Sequence, residues 1–155
     1  MKYLTKIGIG FSLALSLAAC RDDDEFSEVP ELFFRDFQKT TSTTAVWSLG
    51  FTDGDGDIGV RNDDDRDNFI VTIHRIDNGV ESIIPDSIVD SDYRIPVVKN
   101  IPTSNGIEGE FKFTLETLSY KLFPEPVDSM YISGFVRDRA NNESNVVRTP
   151  VFTAN

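Results

Sequence analysis

The residues best suited to chemistry are the aspartates of a short glycine-rich loop. Asp53, Asp55 and Asp57 alternate with glycines, which permit the sharp turns that bring carboxylates together. Carboxylates at the first, third and fifth positions of a curled loop are typical of calcium sites. No cysteine or histidine lies nearby, and this disfavours zinc and copper. The spacing therefore predicts Ca²⁺ as the cofactor.

The charge around this loop favours the same interpretation. Residues 53–67 contain seven Asp and two Arg, a net charge of −5. Two like charges about 4 Å apart repel by about 4 kcal/mol near a protein surface, so a compact loop needs a cation. The alternative is a solvated acidic segment, which is the better interpretation for residues 63–67. Ile58 is expected to insert into the end of the fold.

A second polar turn, residues 137–145, offers a fourth metal ligand. Asp138 or Asn142 approaches the aspartate loop if the turn lies at the same end of the fold, and Asp138 is the predicted ligand. The alternative is a turn whose Asx side chains satisfy nearby backbone N–H groups. The match to a helix-flanked calcium loop is partial, because Ile58 stands where that motif has Gly and Asp64 where it has Glu.

The sequence predicts no catalytic residues. His74 is the single histidine, and it falls on the outward face of a predicted strand as a surface residue. No serine lies in a G-x-S-x-G nucleophile elbow. Aspartates clustered in a wet loop do not give the protonated and ionised carboxyl pair that a glycosidase needs. An enzyme is therefore not expected.

The first twenty residues predict export and lipidation. Lys2 and Lys6 precede a mostly apolar run, residues 7–17, which is too short to span a bilayer. The run ends at Ala18-Ala19-Cys20, which resembles the lipobox of bacterial lipoproteins. That resemblance implies cleavage before Cys20 and a lipid anchor on its thiol, with residues 1–19 as signal peptide and 20–30 as tether.

The tether begins with an acidic cluster, Asp22, Asp23, Asp24 and Glu25. It resembles the surface-export signal of Bacteroidota-type lipoproteins, and the alternative is a solvated linker. The resemblance implies a lipid-anchored protein of the outer membrane that faces the cell surface.

Composition sets the remaining limits. Removal of residues 1–19 leaves 136 residues, with 13 basic and 26 acidic side chains and a net charge of about −13. This length suits one domain with a hydrophobic core. The charge opposes binding to nucleic acid. With Cys20 lipidated, no disulfide is expected.

The elements that must position the loop are predicted to be β-strands. Period-two alternation marks Thr43 to Thr52, Phe69 to Ile73 and Phe111 to Leu115, and Asn78-Gly79 predicts a hairpin turn. The further candidates are Glu31 to Phe37, Val80 to Ile84, Tyr93 to Val98, Ser129 to Arg137 and Asn145 to Thr153. Residues 31–155 are therefore predicted to form an all-β, antiparallel immunoglobulin-like β-sandwich of about seven to eight strands, with a small barrel as the alternative.

The motifs F-T-D-G-D-G-D-I-G at residues 51–59 and D-R-A-N-N-E-S-N at 138–145 resemble a family of uncharacterised Bacteroidota-type lipoproteins. The resemblance implies an immunoglobulin-like envelope lipoprotein. We expect a binding or structural module, membrane-bound through Cys20, whose partner is an unknown envelope protein or glycan. An accessory subunit of an outer-membrane transport, secretion or motility assembly is the alternative, and a carboxylate-dependent hydrolase is less expected.

Overall fold

The computed structural model describes residues 26–41, 44–85, 92–97, 106–115 and 128–153. These residues form eight strands and no helix: β1 (Glu31–Lys39), β2 (Ala45–Asp53), β3 (Phe69–Asp77), β4 (Val80–Ile83), β5 (Asp92–Tyr93), β6 (Ile107–Leu115), β7 (Ser129–Val136) and β8 (Val147–Arg148). The predicted signal peptide, Cys20 and the acidic cluster at 22–25 lie outside the described residues. In the part that is described, no helix is long and apolar enough to cross a membrane.

The strands form two antiparallel sheets. One contains three strands in the order β1-β2-β6. The other has the order β4-β3-β7-β8. The short strand β5 also pairs with β3, at the end of β3 that β4 does not reach. The protein is an all-β, immunoglobulin-like sandwich, and this prediction is confirmed.

The core lies between the sheets and follows the predicted alternation. Trp47 and Leu49 of β2 are fully buried. Phe69 of β3 packs edge-on against Phe111 and Phe113 of β6, with ring centroids 5.5 and 5.2 Å apart. These contacts join the two sheets, since aromatic rings bury a large apolar area at well-defined geometry.

The predicted hairpin is present between β3 and β4. Asp77 pairs with Val80, and the two turn residues Asn78 and Gly79 have φ angles of 49° and 77°. Positive φ at both positions is the geometry of the tight turn that matches strand twist.

Two predicted strands are shorter than expected, and each contains a proline. The strand predicted from Tyr93 onward ends at Tyr93, with only an isolated bridge at Pro96. The strand predicted over Asn145 to Thr153 is reduced to β8, followed by an isolated Phe152 bridge to Met130 beyond Pro150. Proline has no N–H to donate to a ladder, which explains the interruption at Pro150. After Tyr93 the ladder stops because the N–H of Ile95 donates to the Asn68 side chain at 2.6 Å.

One side chain links the edge of the first sheet to the segment before β8. Asn145 Oδ1 accepts the N–H of Leu32 at 2.8 Å, and its Nδ2 donates to the Leu32 carbonyl at 3.0 Å. Leu32 lies in β1, and its side chain is buried. The Asn145 amide therefore satisfies both backbone groups of Leu32, as a neighbouring strand would, and connects the edge of the first sheet to the second.

Candidate metal centre

The aspartate loop begins in the last residue of β2. Asp53 is fully buried, and its Oδ2 accepts the N–H of Ile58 at 2.6 Å. Its Oδ1 is buried without a hydrogen-bond partner among the described residues. A buried, unpaired carboxylate oxygen is costly unless a proton or a cation satisfies it.

The structure brings together three of the four predicted ligands. One carboxylate oxygen from each of Asp53, Asp55 and Asp57 lies within 4.8 Å of the others. Asp53 is buried, Asp57 is partly buried and Asp55 is exposed. The cluster is thus buried at its base and open to solvent at its mouth, a shape that lets a hydrated ion enter and keep some of its water.

The loop is held in this curled form from inside. Ile58 is 1% exposed and belongs to the hydrophobic core, so the predicted insertion is confirmed. The N–H of Asp57 donates to Asp55 Oδ1 at 3.3 Å. Gly59 has a φ of 92°, a conformation that side-chain-bearing residues rarely adopt.

The loop also packs closely against the segment that precedes β1. The N–H of Gly54 donates to the Ser27 carbonyl at 2.7 Å. A Cβ atom at Gly54 would stand 2.0 Å from the carbonyl oxygen of Phe26. Only glycine fits there, so the spacing of glycines between the aspartates has a steric cause as well as a conformational one.

Burial and neighbouring carboxylates raise the pKa values of Asp53 and Asp57. The pKa of Asp53 rises from 3.8 to about 6, first because of burial and then because of the charges of Asp55 and Asp57. Burial and the charge of Asp138 raise the pKa of Asp57. Both shifts mean that ionisation is opposed in the metal-free site, and a bound cation would reverse that opposition.

Asp138, the fourth predicted ligand, is buried beside the cluster but is already engaged. Its Oδ1 accepts the N–H of Asn142 at 2.7 Å, and its Oδ2 accepts Asn142 Nδ2 at 2.8 Å. The alternative Asx-turn role is therefore present. Its role as a metal ligand stays a prediction.

Arg139 is a site residue that sequence reasoning missed. Its N–H donates to Asp57 Oδ1 at 3.3 Å, and its Nη1 donates to the Gly59 carbonyl at 3.0 Å. It joins the 137–145 turn to the C-terminal end of the aspartate loop. An arginine after Asp138 gives no signal of this in the sequence, because the contact is set by the closeness of two loops.

The acidic residues that follow behave differently. Asp63, Asp65 and Asp67 are exposed. Asp64 forms an ion pair with Arg66 at 2.7 Å, and this hydrogen-bonded contact lowers the pKa of Asp64 to about 2. The segment pairs with its own arginine and does not join the cluster.

Two surface depressions flank this end of the sandwich. The larger, of about 810 Å³, is lined by Arg61, Asp63, Asp64, Asp65, Arg66 and Arg139. The smaller, of about 270 Å³, lies between residues 66–70 and 137–141 and includes Asp138. The lining of the larger depression is mixed in charge and mostly polar, which suits a polar ligand better than an apolar one, whereas the smaller depression also includes Val60 and Ile70.

No protein-family model matches the sequence, and no curated protein is similar to it. Among solved structures, the chain is similar to a Niemann-Pick type C2 protein from the Japanese carpenter ant, with 18% identity over 79% of this chain and 91% of that chain and a TM-score of 0.36. A likeness this distant extends no ligand or activity to this chain.

Proposed function

We propose that this protein is a lipid-anchored envelope module whose sandwich presents its loops to a partner and is stabilised at one end by Ca²⁺. The observation that carries the metal assignment is the buried Asp53 carboxylate, with one oxygen unpaired, in a cluster with Asp55 and Asp57. The lipid anchor rests on the Ala18-Ala19-Cys20 motif.

The donor set favours a hard cation. All three groups are carboxylates, and calcium accepts six to eight oxygen ligands in flexible geometry, including water. Three carboxylates and the open mouth at Asp55 leave room for that water. Magnesium requires a near-ideal octahedron at shorter distances, so it is expected to fit less well.

The partner class follows from the surface beside the ion. The two depressions carry arginine, aspartate and asparagine side chains, which can hydrogen-bond hydroxyl and amide groups. A glycan or the polar surface of another envelope protein therefore fits better than an apolar ligand. The net charge of −11 for the full chain, or about −13 without residues 1–19, opposes a nucleic acid partner.

The test is a thermal-unfolding titration of the full chain in detergent. An ion that binds only the folded state with a Kd of about 10⁻⁴ M adds about 1.4 kcal/mol at 1 mM, a rise in Tm of about 5 °C. We expect this rise with CaCl₂ and a smaller one with MgCl₂. The double variant Asp55→Asn, Asp57→Asn should lose most of it.

The matched control is Asp63→Asn with Asp65→Asn, which removes the same charge from the same acidic region at exposed positions. It should retain the calcium response. NaCl at equal ionic strength must run alongside, because screening alone eases repulsion between carboxylates. Equal shifts with sodium and calcium, or equal responses of the two double variants, would remove the metal site from the proposal.

A further inference from the structure

The outer face of the five-stranded sheet holds a hydrogen-bonded serine, histidine and glutamate. His74 Nε2 lies 2.9 Å from Ser133 Oγ on the neighbouring strand β7. His74 Nδ1 lies 3.1 Å from Glu81 Oε1 on β4. Both distances match those of a nucleophile, its general base and the group that orients the base.

The partners settle which ring nitrogen carries the proton. An ionised carboxylate can only accept, so His74 Nδ1 donates to Glu81 and Nε2 is left to accept the hydroxyl of Ser133. Glu81 is held ionised, because hydrogen bonds from Tyr131 and then from His74 lower its pKa. This is the arrangement in which a histidine can take a proton from serine.

The histidine is fixed in place on its other side. Its ring stacks on Tyr131 with centroids 4.2 Å apart and an angle of 8°. Tyr131 OH donates to the same Glu81 oxygen at 2.7 Å. The His74 side chain is 14% exposed, so the base is restrained, and a half-buried Ser133 lies at the open face.

We propose that Ser133 is a nucleophile that hydrolyses short-chain carboxylic esters, with His74 as its general base and Glu81 as a positioning residue. Short acyl groups, which need little apolar contact, are specified because neither of the two depressions described above includes Ser133. The site is distinct from the aspartate loop and does not depend on the calcium proposal.

A cation lies beside the site of developing charge. Arg148 of β8 pairs directly with Ser133 in the sheet register, so the two side chains share a face. Its Cζ lies 5.7 Å from the Tyr131 ring centroid. The guanidinium is thus placed to stabilise a tetrahedral oxyanion, a task that backbone N–H groups perform in many hydrolases.

Each step is balanced without a cofactor. Ser133 Oγ forms a bond to the ester carbonyl carbon while its proton passes to His74 Nε2. The carbonyl is restored as the alcohol leaves with that proton, which gives an acyl-serine. Water then attacks, His74 accepts and returns its proton, and the carboxylic acid departs from a free Ser133.

The experiment uses the full chain in detergent with two probes. A fluorophosphonate should form a covalent adduct with Ser133, located by peptide mass spectrometry, and p-nitrophenyl acetate should be hydrolysed. Ser133→Ala should abolish the adduct, and Ser133→Ala and His74→Ala should each lower kcat about a hundredfold. Ser129→Ala, on the same face of β7, is the matched control and should keep both signals.

Glu81 needs a separate readout, because it acts through His74. Glu81→Gln should lower kcat with little change in KM, and its circular dichroism should match the wild type. The proposal would be overturned if the folded wild type were labelled at another residue or not at all. It would also be overturned if the Ser133→Ala variant hydrolysed the ester at the wild-type rate. Labelling of the wild type needs no variant to fold.

Discussion

Asp53 is a residue whose burial opposes its own charge. The unfolded chain gives up this proton near pH 3.8 and the folded chain near pH 6. Between these values the metal-free folded state holds the proton more tightly, so its free energy of unfolding falls as pH rises through the interval. Above about pH 6 that loss is complete, and it amounts to about 3 kcal/mol.

This gives a prediction for Asp53→Asn. In metal-free buffer at pH 7, the variant should be more stable than the wild type by up to about 3 kcal/mol, because the amide keeps the acceptor for Ile58 N–H and removes the charge. At pH 4 the advantage should largely disappear. Urea unfolding of both proteins at the two pH values measures the difference.

The same variant should respond less to calcium than the wild type, since it loses one carboxylate from the cluster. If Asn at position 53 stabilises the metal-free protein and also weakens its calcium response, then Asp53 lowers the stability of the empty protein and contributes to ion binding. A variant that is less stable than the wild type at pH 7 and that keeps the full calcium response would contradict this prediction.

Part of this site could be predicted from residue types. Alternation of aspartate with glycine predicted a converging cluster, and the apolar Ile58 predicted an anchor in the core. The contacts of Arg139 and Ser27 could not be predicted, because they join positions far apart in sequence through loop packing. The group of Ser133, His74 and Glu81 was missed for a related reason. Its members lie on three strands, and the pairing register of those strands cannot be predicted from the sequence of each strand alone.

At the scale of elements, substitutions of Asn145 test whether its hydrogen bonds to Leu32 hold the two sheets together. Asn145→Ala would leave the N–H and carbonyl of Leu32 without their partner. We expect a loss of about 1–2 kcal/mol, since two hydrogen bonds are removed but both are only partly buried and Asn145 is exposed, so that water can replace part of what the amide supplies. Asn145→Asp should be intermediate, because it retains the acceptor. Asn62→Ala, at an exposed loop position, is the control.

Thermal unfolding of the wild type and the three variants ranks their stabilities. If Asn145→Ala unfolds at the temperature of Asn62→Ala, the amide contributes no net stability and the sheets are joined by core packing alone.

A strand could be predicted from the sequence wherever one of its faces is buried in the core and the other is exposed to solvent. β3 and β7 show this alternation. β7 was predicted within one residue, whereas β3 continues to Asp77, beyond the predicted end at Ile73. β2 is buried on both faces at Ser48 and Gly50, because it lies between β1 and β6 and Arg35 covers Gly50. Strand ends near prolines were misjudged, since composition alone does not say which N–H groups the ladder requires.

For the whole molecule, the anchor gives a direct prediction. Cys20→Ala should produce a precursor that carries no lipid and does not sediment with membranes, because the thiol is the proposed acyl acceptor. Metabolic labelling with a fatty acid, followed by fractionation, measures both properties.

Ala19→Gly keeps a small residue before the cysteine and should be labelled like the wild type. A Cys20→Ala protein that still carries label or still sediments with membranes would show that another part of the chain anchors it.

The contact between Gly54 and Ser27 places the aspartate loop at the end of the sandwich where the proposed tether enters. Phe26 lies six positions after Cys20, a stretch of chain that reaches at most about 20 Å. On the proposed anchor, the aspartate loop would hang just above the headgroups, and the Asn78-Gly79 turn would stand about 30 Å farther out, one strand length away. An anionic surface at about −30 mV concentrates a divalent cation about tenfold at the surface itself, and this enrichment falls off within a Debye length of about 8 Å. The length of the tether would therefore decide whether the aspartate loop samples the ion atmosphere of the membrane or that of the medium.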